Sequence, residues 1–442
     1  AIRVRVLDKG GVVRSNGSKT GRRPISEKML VARKFNQRSR WVTLSLASCL
    51  LLQACGGGDG GGSSTVTLPI TATPAPTPAP TPTPPATTLA DIVARVTTID
   101  LDNLLNYANP VLPAYYDNTV TARDNEPANN RLEDRIATLG RVLFFDTQLS
   151  VNNTKSCASC HQQASGFDDP DRFSTGFAGG TFTTAHAMRL GNARYYQPGS
   201  AFWDKRAASL EAQATQPIQN AIEMGWDADA GGISALITRM EGLDYYPALF
   251  EFAFGNATIT EARMQQALAQ FERAMISSDS RWDQAYAQVF NPNAPNRNLN
   301  VTLPGFSASE NRGRQLFMTG RNNGGAGCSA CHQPPTFALA ANSNSNGLDA
   351  GETTEFKSPS LKNVGRSAFF MHDGRFASLA AVVEHYNSGI QNGPALDNRL
   401  RQGNAPQRLN LSDADKQALV DFMETLTDNS LNTDIRFTNP FR

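Results

Sequence analysis

The sequence predicts a mainly α-helical protein of two like domains, each a helix-and-loop cradle, set behind an export leader and an unstructured linker. Three observations predict it. The run Cys-x-x-Cys-His occurs twice, at 157–161 and 328–332, each time a short loop after Gly-Arg-x-Leu-Phe. Composition turns globular only at about Leu89, after stretches too rich in Gly, Pro and Thr to form a core. The apolar spacing beyond Leu89 suits helices, with little sign of strands.

Residues 1–28 precede the first methionine, Met29, and carry no hydrophobic pattern, so they read as a misplaced start or an added leader. Arg33, Lys34, Arg38 and Arg40 then form a basic region before the short apolar run Trp41–Leu52. That run is too short for a spanning helix and reads as an export signal. It ends in Leu52-Gln53-Ala54-Cys55, which resembles a bacterial lipobox, where cleavage leaves Cys55 as the lipidated first residue. A plain secretory signal with a chance cysteine is the alternative. The expectation is a leader and lipoprotein signal over 1–54 and a disordered Gly/Pro/Thr linker over 55–88. Gly56–Ser64 is flexible, and Leu68–Thr88 favours extended polyproline geometry at about 3.1 Å per residue. The body would lie in the bacterial periplasm, held to the membrane, the outer one, only through a lipid at Cys55.

Two domains follow, 89–300 and 301–442. Leu139-Gly140-Arg141-Val142-Leu143-Phe144 leads into the first cysteine motif and Arg312-Gly313-Arg314-Gln315-Leu316-Phe317 into the second. The apolar residues of each run suit a helix packed on a buried group. Ser412 caps a late helix whose Leu419, Val420, Met423 and Leu426 recur at helical spacing. Asn291–Asn300 and Gly324–Gly327 read as connections. A net charge of +1 over 442 residues points away from nucleic acid.

Cys-x-x-Cys-His, exported and duplicated, is the attachment signal of haem c. Two thiols add to the haem vinyl groups and the adjacent histidine supplies an axial nitrogen. The expected sites are Cys157, Cys160 and His161, and Cys328, Cys331 and His332, giving two covalently bound haem c groups in cytochrome c-like domains. A thioredoxin-type pair does not need the histidine in both copies, and a zinc site needs a more compact ligand set. Of the five histidines, His186, His372 and His385 remain. Ser378 to Tyr386 reads as a helix with Ser378 as N-cap and Gly389 just past its end. Leu379, Val382, Val383 and Tyr386 share its apolar face, from which His385 points away. Tyr386 is thus the polar side chain best placed to face a buried haem, although an ordinary core tyrosine is the commoner case.

Further motifs carry a resemblance. Leu143-Phe144-Phe145-Asp146, Phe202-Trp203-Asp204-Lys205-Arg206-Ala207, Pro217-Ile218-Gln219, Glu223-Met224-Gly225, Phe356–Asn363 and Met371-His372-Asp373-Gly374-Arg375 occur in that order. With them the chain, from about Leu139 to Thr427, resembles the bacterial di-haem cytochrome c peroxidase family and its tyrosine-ligated MauG/MbnH-like branch. The resemblance implies that His161 is proximal on the peroxide-reactive haem, with Gln213, Pro217 and Glu223 lining its open face. A carboxylate there can take a proton from peroxide and return it to the leaving oxygen. It further implies that Trp203 relays electrons between the haems and that His332 is proximal on the second haem. Tyr386 would stand where ordinary members carry an axial methionine, and His372 near a haem propionate. Thioether favours reduced iron, whereas phenolate favours higher oxidation states.

The family's inter-haem calcium uses an Asn side chain and two carbonyls. His186 falls at the Asn position, with Ser367 and Phe369 at the carbonyls. Neutral imidazole is a poor calcium ligand, which argues against calcium here. His186 is then either a switchable sixth ligand of the first haem or, more commonly, a core or surface histidine.

Three functions follow. The first is an enzyme that uses hydrogen peroxide to oxidise side chains of a periplasmic partner protein. The second is a cytochrome c peroxidase drawing electrons from a small donor protein. The third is an electron-transfer cytochrome without enzymatic activity. Tyr386 favours the first, and Gln213 and Glu223 argue against the third.

Overall fold

The computed structural model describes residues 87–442, together with Gly62. The leader, the lipidation site at Cys55 and nearly all of the linker lie outside the described residues. Among those described, helices and turns dominate. The one sheet is a two-stranded hairpin pairing Arg401 with Pro406 and Gln402 with Ala405. No described helix is long and apolar enough to cross a membrane.

The architecture is built twice from one pattern. Helix Asp134–Phe145 packs on helix Glu261–Ala274, and helix Ala308–Met318 packs on helix Asp413–Glu424. The glycine of each Gly-Arg-x-Leu-Phe run explains the crossings. A Cβ at Gly140 would collide with the carbonyl oxygen of Ala267, and one at Gly313 with that of Ala418. Only glycine lets the backbones touch there. The later helices start on side-chain caps: Thr260 accepts from the Arg263 N–H, Ser307 from that of Glu310, and Ser412, as expected, from that of Asp415.

Each crossing seeds an apolar core. Leu139, Val142, Leu143 and Phe144 pack with Leu268 and Phe271 in the first. Leu316, Phe317, Phe337, Leu419 and Phe422 pack in the second. The cores do not follow a single cut in the chain. Tyr115, Tyr116, Val120, Trp282 and Tyr286 belong to the second core, while Leu431 and Phe437 return to the first. A buried Lys362–Asp283 ion pair holds that exchange in place, and Asp283 also accepts from the Tyr115 hydroxyl at 2.8 Å.

The repetition runs past the cysteine motifs. Phe167 and Phe337, shortly after His161 and His332, both have positive φ, at 63° and 53°. Asn192 and Asn363, both at φ 61°, each open a short 3-10 turn. Their side-chain oxygens accept from the Ser277 N–H at 2.9 Å and the Asp428 N–H at 2.8 Å. A tight hairpin then recurs. The Ala201 N–H donates to the Ala207 carbonyl, and the Phe370 N–H to that of Phe376, both at 2.9 Å. Asp204-Lys205-Arg206-Ala207-Ala208-Ser209-Leu210 thus matches Asp373-Gly374-Arg375-Phe376-Ala377-Ser378-Leu379. Each serine caps a short helix, Leu210–Ala214 or Leu379–Glu384.

Candidate functional site: two haem cradles

Both cysteine motifs sit on single 3-10 turns, Cys157–Ser159 and Cys328–Ala330, and in the second the thiols and the following histidine face one cavity. His161 Nδ1 lies 3.1 Å from the Phe167 carbonyl and His332 Nδ1 lies 3.1 Å from that of Pro359. A carbonyl only accepts, so Nδ1 carries the proton and Nε2 keeps its lone pair for a metal. Burial lowers the pKa of both rings, that of His332 to about 4, which keeps them neutral as ligands must be. Burial is also the main reason that all four thiols are pushed up. Paired thiols, a neutral oriented imidazole and an apolar surround fit haem c at both places.

The second cradle opens on a cavity of about 510 Å³. His332, Cys328 and Cys331 line it together with Leu379, Val383, Leu419, Met423 and Tyr386. The expected helix is present, capped by Ser378, but α-helical geometry stops at Glu384 and a π-helical turn, His385–Gly389, follows. Gly389 therefore lies inside the helical run, not past it. The physical reason lies in the neighbouring 407–409 segment. The Gln407 side-chain amide donates to the Tyr386 carbonyl at 3.3 Å, and the Leu409 N–H donates to that of Asn387 at 2.9 Å. Burial pushes the Tyr386 phenol well up. His385 is not on the cavity wall. It is buried, with Nε2 3.1 Å from the Asn346 carbonyl.

The first cradle differs. Glu223 and Pro217 line a separate cavity of about 340 Å³ with Phe202, Arg206, Gln216, Gln219 and Asn220. Burial raises the Glu223 pKa, and Arg206 only partly offsets it. Gln213, on helix Leu210–Ala214, is not in the lining of that cavity, and Gln216 is.

Trp203 lines the large cavity and donates through Nε1 to the His186 carbonyl at 2.7 Å. His186 is 3% exposed, and each ring nitrogen lies close to an oxygen. Nδ1 lies 3.1 Å from the Arg172 carbonyl, and Nε2 sits 3.1 Å from Asp168 Oδ1 as an ion pair. Burial works against the charged ring, but Asp168 wins and the His186 pKa is raised. Its burial and its pairing with Asp168 are those of a core histidine, although it also borders the large cavity. Asp168 also accepts from Ser367 and lies 3.6 Å from the Arg189 guanidinium. The positions that the resemblance associates with calcium thus surround a buried carboxylate paired with the protein's own cations. His372 lines the large cavity, stacked on Phe356 with ring centroids 4.0 Å apart.

Sequence reasoning missed two residues that share the cavity with Tyr386, namely Met371 and Asn346. The signal that finds Met371 is the repeated Asp-x-Arg-x-Ala-Ser-Leu run. Counting back from it aligns Met371 with Phe202.

Comparison with known proteins agrees with this geometry. A family profile described as di-haem cytochrome c peroxidase matches residues 134–289 and 308–430. The chain is 31% identical over 316 residues to the methylamine utilization protein MauG of Methylorubrum extorquens, spanning 68% of this chain and 80% of that one. It is 27% identical over 347 residues to the cytochrome-c peroxidase IdrP1 of Denitromonas iodatirespirans, spanning 68% and 84%. A solved MauG-like protein associated with microbial copper homeostasis aligns with a TM-score of 0.57 and 28% identity, over 76% of this chain and 98% of that one.

Proposed function

The chain belongs to the di-haem cytochrome c peroxidase family, in its MauG-like branch, and from that premise we propose that it uses hydrogen peroxide to oxidise side chains of a partner protein. It is a di-haem peroxidase-type oxidoreductase, and the family implies two haem c groups. Those groups supply the redox-active iron. The chain's own residues do the rest.

Glu223 is the group that moves a proton. Half-buried, within electrostatic reach of the Cys157 and Cys160 thiols and with a raised pKa, it accepts a proton from peroxide and returns it to the departing oxygen. Pro217 and Phe202 wall the same space without offering a ligand, which leaves room for peroxide. Trp203 carries oxidation toward the second cradle, on whose wall it stands. The carrying observation is Tyr386, which lines one cavity with His332. A phenol oxygen at that place would favour the oxidised state of a haem iron held by His332.

The second reading, a cytochrome c peroxidase, draws on the relative named IdrP1. Turnover separates the two. Supplied with peroxide and a reduced small c-type cytochrome, the wild type should oxidise the donor slowly, and Tyr386→Met should speed it. Rapid donor oxidation by the wild type, unaltered in Tyr386→Met, would establish the peroxidase reading instead.

The place of action in this reading is the bacterial periplasm, with a lipid at Cys55 as tether to the outer membrane. Palmitate labelling in cells should mark the wild type and not Cys55→Ser. Equal labelling would remove the anchor from the account.

A further inference from the structure

Tyr386 is not the only candidate ligand in the second cavity. The Asn346 side-chain nitrogen lies 3.5 Å from the Tyr386 hydroxyl and 3.2 Å from Met371 Sδ. One amide therefore holds a phenol and a thioether side by side, and all three residues line the cavity that His332 lines. The internal repeat gives an independent reason to place Met371 on the ligand face. Its counterpart in the first cradle is Phe202, at the same position of the repeated hairpin and also at positive φ, 65° against 75°. Phe202 lines the Glu223 cavity, on the face that the proposed function assigns to peroxide.

Both groups stand on unusual backbone. Met371 holds a left-handed conformation that side chains larger than glycine rarely adopt, and Tyr386 lies in a π-helical turn. Such features persist where surrounding structure enforces them, and they concentrate at functional sites. Met371 also has the flexible, unbranched side chain that can swing a sulfur atom by rotation alone.

We propose that Met371 is an alternative axial ligand of the second haem, taken by reduced iron in place of Tyr386, with Asn346 as the positioning residue that holds whichever group is off the metal. The inference rests on the reading that Tyr386 binds the oxidised iron. One electron from a reductant, a donor protein or dithionite, reduces the iron. The iron–oxygen bond breaks, the phenolate takes up one proton from water, and the neutral thioether forms an iron–sulfur bond. Reoxidation reverses each step. The direction follows from ligand softness, since thioether prefers the reduced metal and phenolate the oxidised one. The second haem would then have two potentials, one for each ligand, and its reduced form would resist reoxidation.

The test is ligation of the holoprotein in two oxidation states, read by X-ray absorption and magnetic circular dichroism without turnover. Ferric wild type should show an oxygen ligand on the second haem, and dithionite-reduced wild type an iron–sulfur bond. Met371→Leu should abolish that bond and lower the second haem's potential. Asn346→Ala should keep both ligands but shift the potential. Ferric Tyr386→Phe should show the sulfur-to-iron charge-transfer band, and Tyr386→Phe/Met371→Leu should lose the band and bind cyanide at that haem. Oxygen ligation in the ferric state with no sulfur on reduction, and no change in Met371→Leu, overturns the exchange while leaving the Tyr386 reading intact. Ferric wild type without an oxygen ligand overturns the Tyr386 reading and the exchange with it.

Discussion

The two cradles are one design with opposite endings. Each has a glycine-mediated helix crossing, a cysteine motif on a 3-10 turn, a histidine held through Nδ1 and a hairpin followed by a serine-capped helix. They part eight residues after the capping serine, where the first cradle has Pro217 and the second has Tyr386. Proline offers no side-chain donor atom, and tyrosine offers a hydroxyl. On the same side, Phe202 in the first cradle answers to Met371 in the second. The first cradle thus presents two residues that cannot bind iron, beside the half-buried carboxylic acid of Glu223. The second presents two that can, in a mostly apolar cavity. In the proposed reading, a pair of side chains on a shared scaffold decides whether a duplicated haem cradle is reactive or closed.

The largest expected effect bears on Glu223, the acid lining the cavity of the first cradle. Glu223→Gln should slow the reaction with peroxide by about 10²–10⁴-fold, the scale of general acid–base groups. The ferric spectrum of the second haem should stay as it is. Stopped-flow mixing with peroxide measures this, and an unchanged rate would remove Glu223 from the mechanism.

The scaffold should respond alike in both halves. Gly140→Ala and Gly313→Ala each push a methyl group into a carbonyl oxygen, at Ala267 and Ala418. Overpacking of this kind costs about 1–3 kcal/mol, visible as a lowered midpoint of denaturation in the holoprotein. A loss confined to one variant would break the claim that the cradles share one construction.

A smaller effect distinguishes them by pH. Burial raises the Glu223 pKa above the ordinary glutamate value of 4.5. A protonated Glu223 cannot accept the peroxide proton, so the rate should fall on acidification, beginning above the normal carboxylate range. That limb should vanish in Glu223→Gln. Its persistence would assign it to another group.

The smallest concerns the tie between the halves. The His186 pKa is raised by Asp168 against the pull of burial. The pair's stabilisation is therefore fully present below the unfolded histidine value of about 6.5 and is lost as pH rises through the folded one. The gap in melting temperature between wild type and His186→Gln should narrow from acid to alkaline pH. A gap independent of pH would mean that the imidazolium contributes nothing.

Much of this was legible in the residues. The cysteine motifs, the Gly-Arg-x-Leu-Phe runs and the Ser412 helix express local rules, and each appears where spacing put it. Tyr386 was found by helical periodicity, because the helix entering the cavity is regular up to Glu384. His186 was harder. Its role depends on Asp168 and Arg189, which reach it only through the fold, and no spacing rule joins them. Asn346 was invisible for the same reason, since its partners come 25 and 40 residues later. Met371 was legible through the repeated Asp-x-Arg-x-Ala-Ser-Leu run, which the apolar pattern alone does not bring out. The exchange of Tyr115, Trp282 and Phe437 between cores is a tertiary fact with no local signature.

The contrast between an open and a closed cradle is tested most directly by counting how many ferric haems accept a small exogenous ligand. Titration of the oxidised holoprotein with cyanide, followed by electron paramagnetic resonance, should end at one cyanide per chain. The bound signal should belong to the Cys157/Cys160 haem and leave the Cys328/Cys331 haem unaltered. Two cyanides per chain, or none, would contradict the account.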